Sequence, residues 1–304
     1  MNQDKNGYNS WIKLVLMMSI FGYVTVNFAT FALLLFPVWF MMDSINHGIF
    51  HGSSAMVATC ALLMYTTSSQ VAIFILLLFL PVVIIFHYLV HAQKSYRTTL
   101  VVLALVFMLS FLSLFASTFD IGSIMLSKPD TLNEIGSSLM SEEMTRLEIK
   151  QINDSLNNSW NTIITIFPSL IIIVSLVFAY MNYTIVGRFL ISYGVLISQP
   201  PFFYKFKLPS SIVMGTIISF LSISILKNQL EELYGVIMLN LAVLFGFLYL
   251  VQGFSVLNYA TIRIGVNSVV RVLLYIVVLT MVSFYPILVS IGFVDSVFNF
   301  RKVS

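Results

Sequence analysis

Charged side chains are scarce in this chain of 304 residues: Asp, Glu, Lys and Arg together make up 9%, against 59% hydrophobic residues. A soluble globular domain carries roughly a quarter of its residues as charges, so an ordinary water-soluble globule is excluded. Cysteine is nearly absent. The lone Cys60 rules out an internal disulfide and any multi-cysteine metal cluster, and it reads as a small apolar packing residue. The four histidines, His47, His51, His87 and His91, form no His-Glu-x-x-His motif and no histidine-rich tract, so neither a metal site nor a cofactor is expected.

Motifs of catalysis are missing too. No G-x-x-x-x-G-K-[ST] is present, so the chain supplies no P-loop ATPase of its own. There is no G-x-S-x-G elbow and no paired intramembrane Asp, which leaves hydrolase and protease readings without support. Ionisable groups deep in a membrane usually mark proton or ion pathways. None lies near the centre of an apolar run here; His87, the nearest, falls towards the end of one. A proton relay is not expected, nor is an enzyme.

What the chain does have is apolar length. Val71–Val90 and Ile163–Tyr180 contain no Asp, Glu, Lys or Arg, and similar runs lie at Leu14–Phe40, Leu100–Phe119, Ser210–Leu226, Gly235–Val251 and Val272–Val294. A bilayer core about 30 Å thick needs about 20 such residues in a helix. The fold class is therefore all-α: a polytopic transmembrane bundle of seven or eight membrane segments, read as a single integral membrane domain over 1–304. Ser54–Tyr65 offers only about a dozen apolar residues and is expected to be short, tilted or re-entrant. The first run, from Trp11 towards Phe36, is too long for a signal-peptide core and is expected to stay as a helix that Pro37 bends or ends. Pro81 predicts a kink in its run, and so does Pro286. Asp43–His51 reads as a Gly-rich, His-containing loop.

One hydrophilic insert, 120–160, interrupts the pattern. Seven of the twelve acids lie between Asp120 and Asp154 beside three bases, so that stretch carries −4 and the remainder +7. Thr131 and Glu134 are spaced as a capping box. Downstream, Met140, Met144 and Leu147, then Ile149, Ile152, Leu156 and Trp160, recur every three or four residues, which predicts an amphipathic helix leading into the next span. The basic remainder suits lipid headgroups and topology control better than nucleic acid. The bilayer is the first partner.

The polar candidates inside the apolar runs are few. Asn240 is placed either to meet a solute or to bond across helices. Gln252, Gly253 and Asn258 follow on the same predicted helix, where Gly253 is a point of loosening or close approach. Tyr23 and Asn27, four apart, share a face. Asp295 and Arg301, six apart, pair only if the chain turns between them, and that pairing is expected to pin the C-terminal end.

Lys207-Leu208-Pro209, Asn240, Gln252-Gly253-Phe254-Ser255-Val256 and the closing Gly292-Phe-Val-Asp-Ser-Val-Phe-Asn-Phe-Arg301 resemble the YybS-like family of predicted bacterial membrane proteins, a domain of unknown function. Asn46-His47-Gly48 after Pro37 extends the resemblance over most of the chain; Asn299 stands where an acid is more usual. That family is distantly similar to the S-components of energy-coupling-factor transporters. The resemblance implies a helical cup in the plasma membrane that captures a solute and needs partner coupling subunits with ATPases. Ala29 and Ala32, three apart, depart from the Ala-x-x-x-Ala docking pattern of S-components. The family's gene neighbours imply another partner, a membrane-bound cyclic-dinucleotide phosphodiesterase, for which the chain would act as scaffold or regulator.

Overall fold

The computed structural model describes residues 2–118 and 146–301. Among them every regular element is helical. The N-terminal part holds α1 (Asn2–Phe28), α2 (Phe36–His47), α3 (Ile49–Thr66), α4 (Ser69–His91) and α5 (Tyr96–Thr118). The long α6 (Arg146–Ser192) follows, then α7 (Ser210–Ile225), the single turn α8 (Lys227–Leu230), α9 (Glu232–Arg263), α10 (Ser268–Thr280) and α11 (Tyr285–Phe298). Six of these are long and apolar enough to cross a membrane, or seven with the bent pair α10–α11 counted as one span.

Both faces of α5 explain why lipid is the solvent. Leu103, Ala104, Phe107 and Leu114 are buried, yet Val101, Leu105, Leu109 and Leu112 on the opposite side are exposed and equally apolar. A helix that is hydrophobic all round suits a membrane span, where the outward stripe meets acyl chains.

Two compact units divide the chain: Met1–Thr131 with Val174–Pro200, and Leu132–Ile173 with Pro201–Ser304. The first is built on aromatic contacts. Phe36 meets Phe40 and Phe79 at ring distances of 5.3 and 6.0 Å, and Phe107 stands edge-on to Phe79 and Phe178 at 6.3 and 5.6 Å. Met18, Met41 and Met56 fill the spaces among them. Trp11 ties α1 to α3 by donating to the Ser54 hydroxyl at 3.1 Å. The second unit has a smaller apolar centre of Leu208, Val213 and Tyr249, and much of its cohesion is polar.

Several expectations need correction. Pro37 does not end the first helix. The chain leaves α1 at Phe28, passes through a 3-10 stretch at Thr30–Leu35 and starts α2 with Pro37 in its first turn, where a missing N–H costs nothing. The segment expected to fall short at 54–65 begins earlier, at Ile49, and its 18 residues give about 27 Å of helix. Asp43–His51 is not an open loop but two helix ends joined at Gly48. Pro81, where a kink is expected, lies within the continuous α4 and does not end it, which leaves that expectation standing.

The last run breaks at Met281, five residues before Pro286, which itself lies in the first turn of α11. At that position its missing N–H costs nothing, as at Pro37. The span breaks into α10 and a segment from Val282, bent by 93°. The amphipathic stretch of the insert is continuous with the next span from Arg146 onward in the 47-residue α6. Thr131, Glu134, Met140 and Met144 lie outside the described residues.

Candidate functional site

In the second unit, the C-terminal end closes on itself. Asn299 takes a left-handed conformation (φ 49°, ψ 50°) as the C-cap of α11, one that Asn tolerates better than most residues. That turn brings Arg301 back onto Asp295, with Nη2 and Nε donating to one carboxylate oxygen at 2.8 and 3.1 Å. Nη1 donates to the Tyr204 carbonyl at 2.9 Å and the Ser255 hydroxyl at 2.8 Å, and Nη2 also reaches the Phe206 carbonyl at 2.8 Å. Gln252 completes the knot: its amide donates to Asp295 and accepts from the Leu208 N–H at 3.0 Å. Gln252, Ser255, Asp295 and Arg301 are all buried. An ion pair taken out of water needs such additional bonds to offset its desolvation. The arrangement fastens 203–208 to α9 and α11. The other carboxylate oxygen of Asp295 is buried with no hydrogen-bond partner.

Asn240 is committed to structure as well. Its amide donates to the Thr165 carbonyl at 2.6 Å and the Val236 carbonyl at 2.9 Å, and its oxygen accepts from the Ser169 N–H at 3.0 Å. Thr165 carbonyl and Ser169 N–H are the partners of one i→i−4 helical bond. The amide therefore serves α6 at the turn that Pro168 disturbs. Gly253 does not loosen α9. A Cβ there would run into the Leu288 carbonyl, and one on Gly292 into the Tyr249 carbonyl, so the two glycines let α9 and α11 touch backbone to backbone. Asn27 donates to the Tyr23 carbonyl at 2.8 Å, and both residues are exposed. Asn258 accepts from the Tyr275 hydroxyl at 2.7 Å. A cleft of about 550 Å³ opens near the C-terminal end of α9, lined by Tyr204, Tyr259, Ile262, Arg263, Phe300 and Arg301.

The first unit holds a group that the sequence reading passed over. Asp43, near the end of α2, places one carboxylate oxygen 2.8 Å from Nδ1 of His47 and the other 2.6 Å from Nδ1 of His51. Gly48 makes this possible. Its φ of +97° lets the chain turn between α2 and α3 within one residue. Gly52 then lets α3 close on α2, since a Cβ there would lie 2.8 Å from the Phe40 carbonyl oxygen and 2.9 Å from the Ser44 nitrogen. Asp43 is nine-tenths covered, while the His47 side chain is 43% exposed.

A second histidine pair, His87 and His91 on α4, has ring centroids 4.3 Å apart, and His87 lies against the Ser44 main chain. All four histidines of the chain thus gather where the end of α2, the start of α3 and the end of α4 meet. The signal was the spacing of four at positions 43, 47 and 51 and again at 87 and 91; the glycines at 48 and 52 made the first set look like a loop. Near this end of α4 a cavity of about 300 Å³ is lined by Val90, Gln93, Lys94, Thr99, Tyr183 and 196–198.

Apolar helices of spanning length, lipid-facing side chains and polar groups that mostly bond to one another define a multi-pass helical membrane protein. Residues 11–296 match the family model described as "Predicted membrane protein (DUF2232)", and the chain belongs to that family. No curated protein and no solved structure matches it.

Proposed function

We propose that this protein is an S-component-like, non-enzymatic membrane subunit that captures a small solute in a bacterial plasma membrane and relies on partner coupling subunits for ATP hydrolysis. The YybS-like pattern of its C-terminal third is the kinship behind that reading. The observation that carries it is the broken span: α10 and the segment from Val282 to Phe298 meet at 93° within one apolar stretch. Discontinuous membrane helices are where transporters build solute sites, because the break frees main-chain groups inside the bundle. The fastening of 203–208 by Arg301 supports the same reading, since it gives the broken segment a rigid base.

A second reading has its own observation. Asn240 and Gln252, the amides best placed to meet a solute, are engaged in interhelical bonds. That favours a membrane scaffold or regulator of a signalling enzyme such as a membrane-bound cyclic-dinucleotide phosphodiesterase. Affinity purification from native membranes in mild detergent separates the two. Recovery of an ATPase pair with a coupling membrane subunit supports solute capture; recovery of a phosphodiesterase without ATPases overturns it in favour of the second reading.

A further inference from the structure

We propose that Asp43, His47 and His51 form a binding site for a divalent first-row transition-metal ion, open to water at the end of α2 and α3. The inference does not rest on the transport reading. Its basis is the donor set and how the backbone assembles it. One ligand atom from each of the three residues lies within 4.8 Å of the others. A tetrahedral ion with bonds of about 2.0–2.2 Å sets its ligand atoms roughly 3.3 Å apart, so side-chain rotation alone closes the set. Two imidazoles and one carboxylate suit zinc, cobalt, nickel or ferrous iron, and are less suited to calcium or magnesium, which prefer all-oxygen cages.

Two further observations support a ligand rather than a chance ion pair. The carboxylate is nearly buried, yet each of its oxygens faces an imidazole nitrogen, so acid and imidazole donors already converge on one point. Gly48 and Gly52 are both needed to bring His51 across from α3, so the backbone is shaped to the cluster. A set of three protein ligands leaves at least one coordination position for water or a donor from outside, and the exposed His47 gives the ion a path in and out. That is a site for an exchangeable ion, not a closed structural one.

The test uses the full chain in detergent, carrying no histidine tag, stripped with chelator and dialysed. Cobalt(II) chloride is titrated in while the visible ligand-field absorption is read, and bound metal per chain is counted by elemental analysis. The expected result is one saturable equivalent, displaced by zinc. H47A and D43N should each weaken binding at least about ten-fold. His47 is exposed, so H47A leaves the fold intact, and a thermal unfolding scan on each variant confirms it. The H87Q/H91Q double variant should keep the absorption band. Absence of saturable uptake by the wild type, unchanged uptake by H47A, or loss of uptake in H87Q/H91Q alone would overturn the assignment. Each of these outcomes is independent of which partners co-purify.

Discussion

Replacing Arg301 by Met removes a guanidinium that holds five bonds and leaves the Asp295 carboxylate buried with only the Gln252 amide beside it. Breaking a buried ion pair from one side costs about 3–5 kcal/mol. Much of that cost falls on the 203–208 segment, because Arg301 holds the Tyr204 and Phe206 carbonyls. Lys205 and Lys207 lie in that segment, so its release is readable as tryptic cleavage. When opening is fast, cleavage follows the population of the open form. A loss of 3–5 kcal/mol, at about 1.4 kcal/mol per tenfold, raises that population roughly 10²- to 4 × 10³-fold. Limited proteolysis in detergent should therefore show R301M cut at these lysines far faster than wild type. D295N/R301M, which removes the stranded charge, should regain part of the protection. Cleavage of R301M at the wild-type rate, or no recovery in the double variant, would refute the reasoning.

Other substitutions test the remaining contacts. G253A and G292A each push a methyl into main-chain atoms that cannot swing aside, so each should lower thermal stability by about 1–3 kcal/mol or more. G246A, with open space around it, should be neutral or slightly stabilising, and equal effects at all three sites would remove the helix-contact explanation. N240A should cost about 1–3 kcal/mol by stranding the Thr165 carbonyl and the Ser169 N–H beside Pro168; unchanged stability in a thermal scan would mean that α6 closes that turn without the amide. G52A should drive α3 away from α2 and weaken cobalt binding at least about ten-fold, and a titration identical to wild type would show that the close approach does not assemble the cluster.

Most of the architecture was legible because a membrane span is a statement about composition and length. Val71–Val90 and Leu100–Phe119 are apolar whichever way they turn, so no judgement about faces is needed; α4 covers the first and α5 the second as far as Thr118. Prolines were harder. The same residue type starts α2 at Pro37 and α11 at Pro286, yet passes through α4 at Pro81. Which occurs depends on how neighbouring groups bond to the main chain around the proline, as Asn240 does with the Thr165 carbonyl and Ser169 N–H beside Pro168, and one sequence does not contain that information locally. The turn between Asp295 and Arg301 was readable from their spacing. The further reach of Arg301 to Tyr204 and Phe206, nearly a hundred residues away, was not.

The polar side chains of the two units divide by what remains available to a ligand. In the second unit, Gln252, Ser255 and Arg301 bond to one another or to the main chain of 203–208, and Asn240 bonds to α6. Each is a fastening, and moving one requires replacing several charge-assisted or main-chain bonds at about 0.5–3 kcal/mol apiece. Asp43 differs. Its two partners are imidazoles, one of them 43% exposed, and a neutral imidazole is itself a common metal ligand. A chain with only 9% charged residues that places a carboxylate between two histidines at a water-facing helix junction has built its most exchangeable polar contact there. That difference is what the cobalt titration of the wild type and of H47A measures.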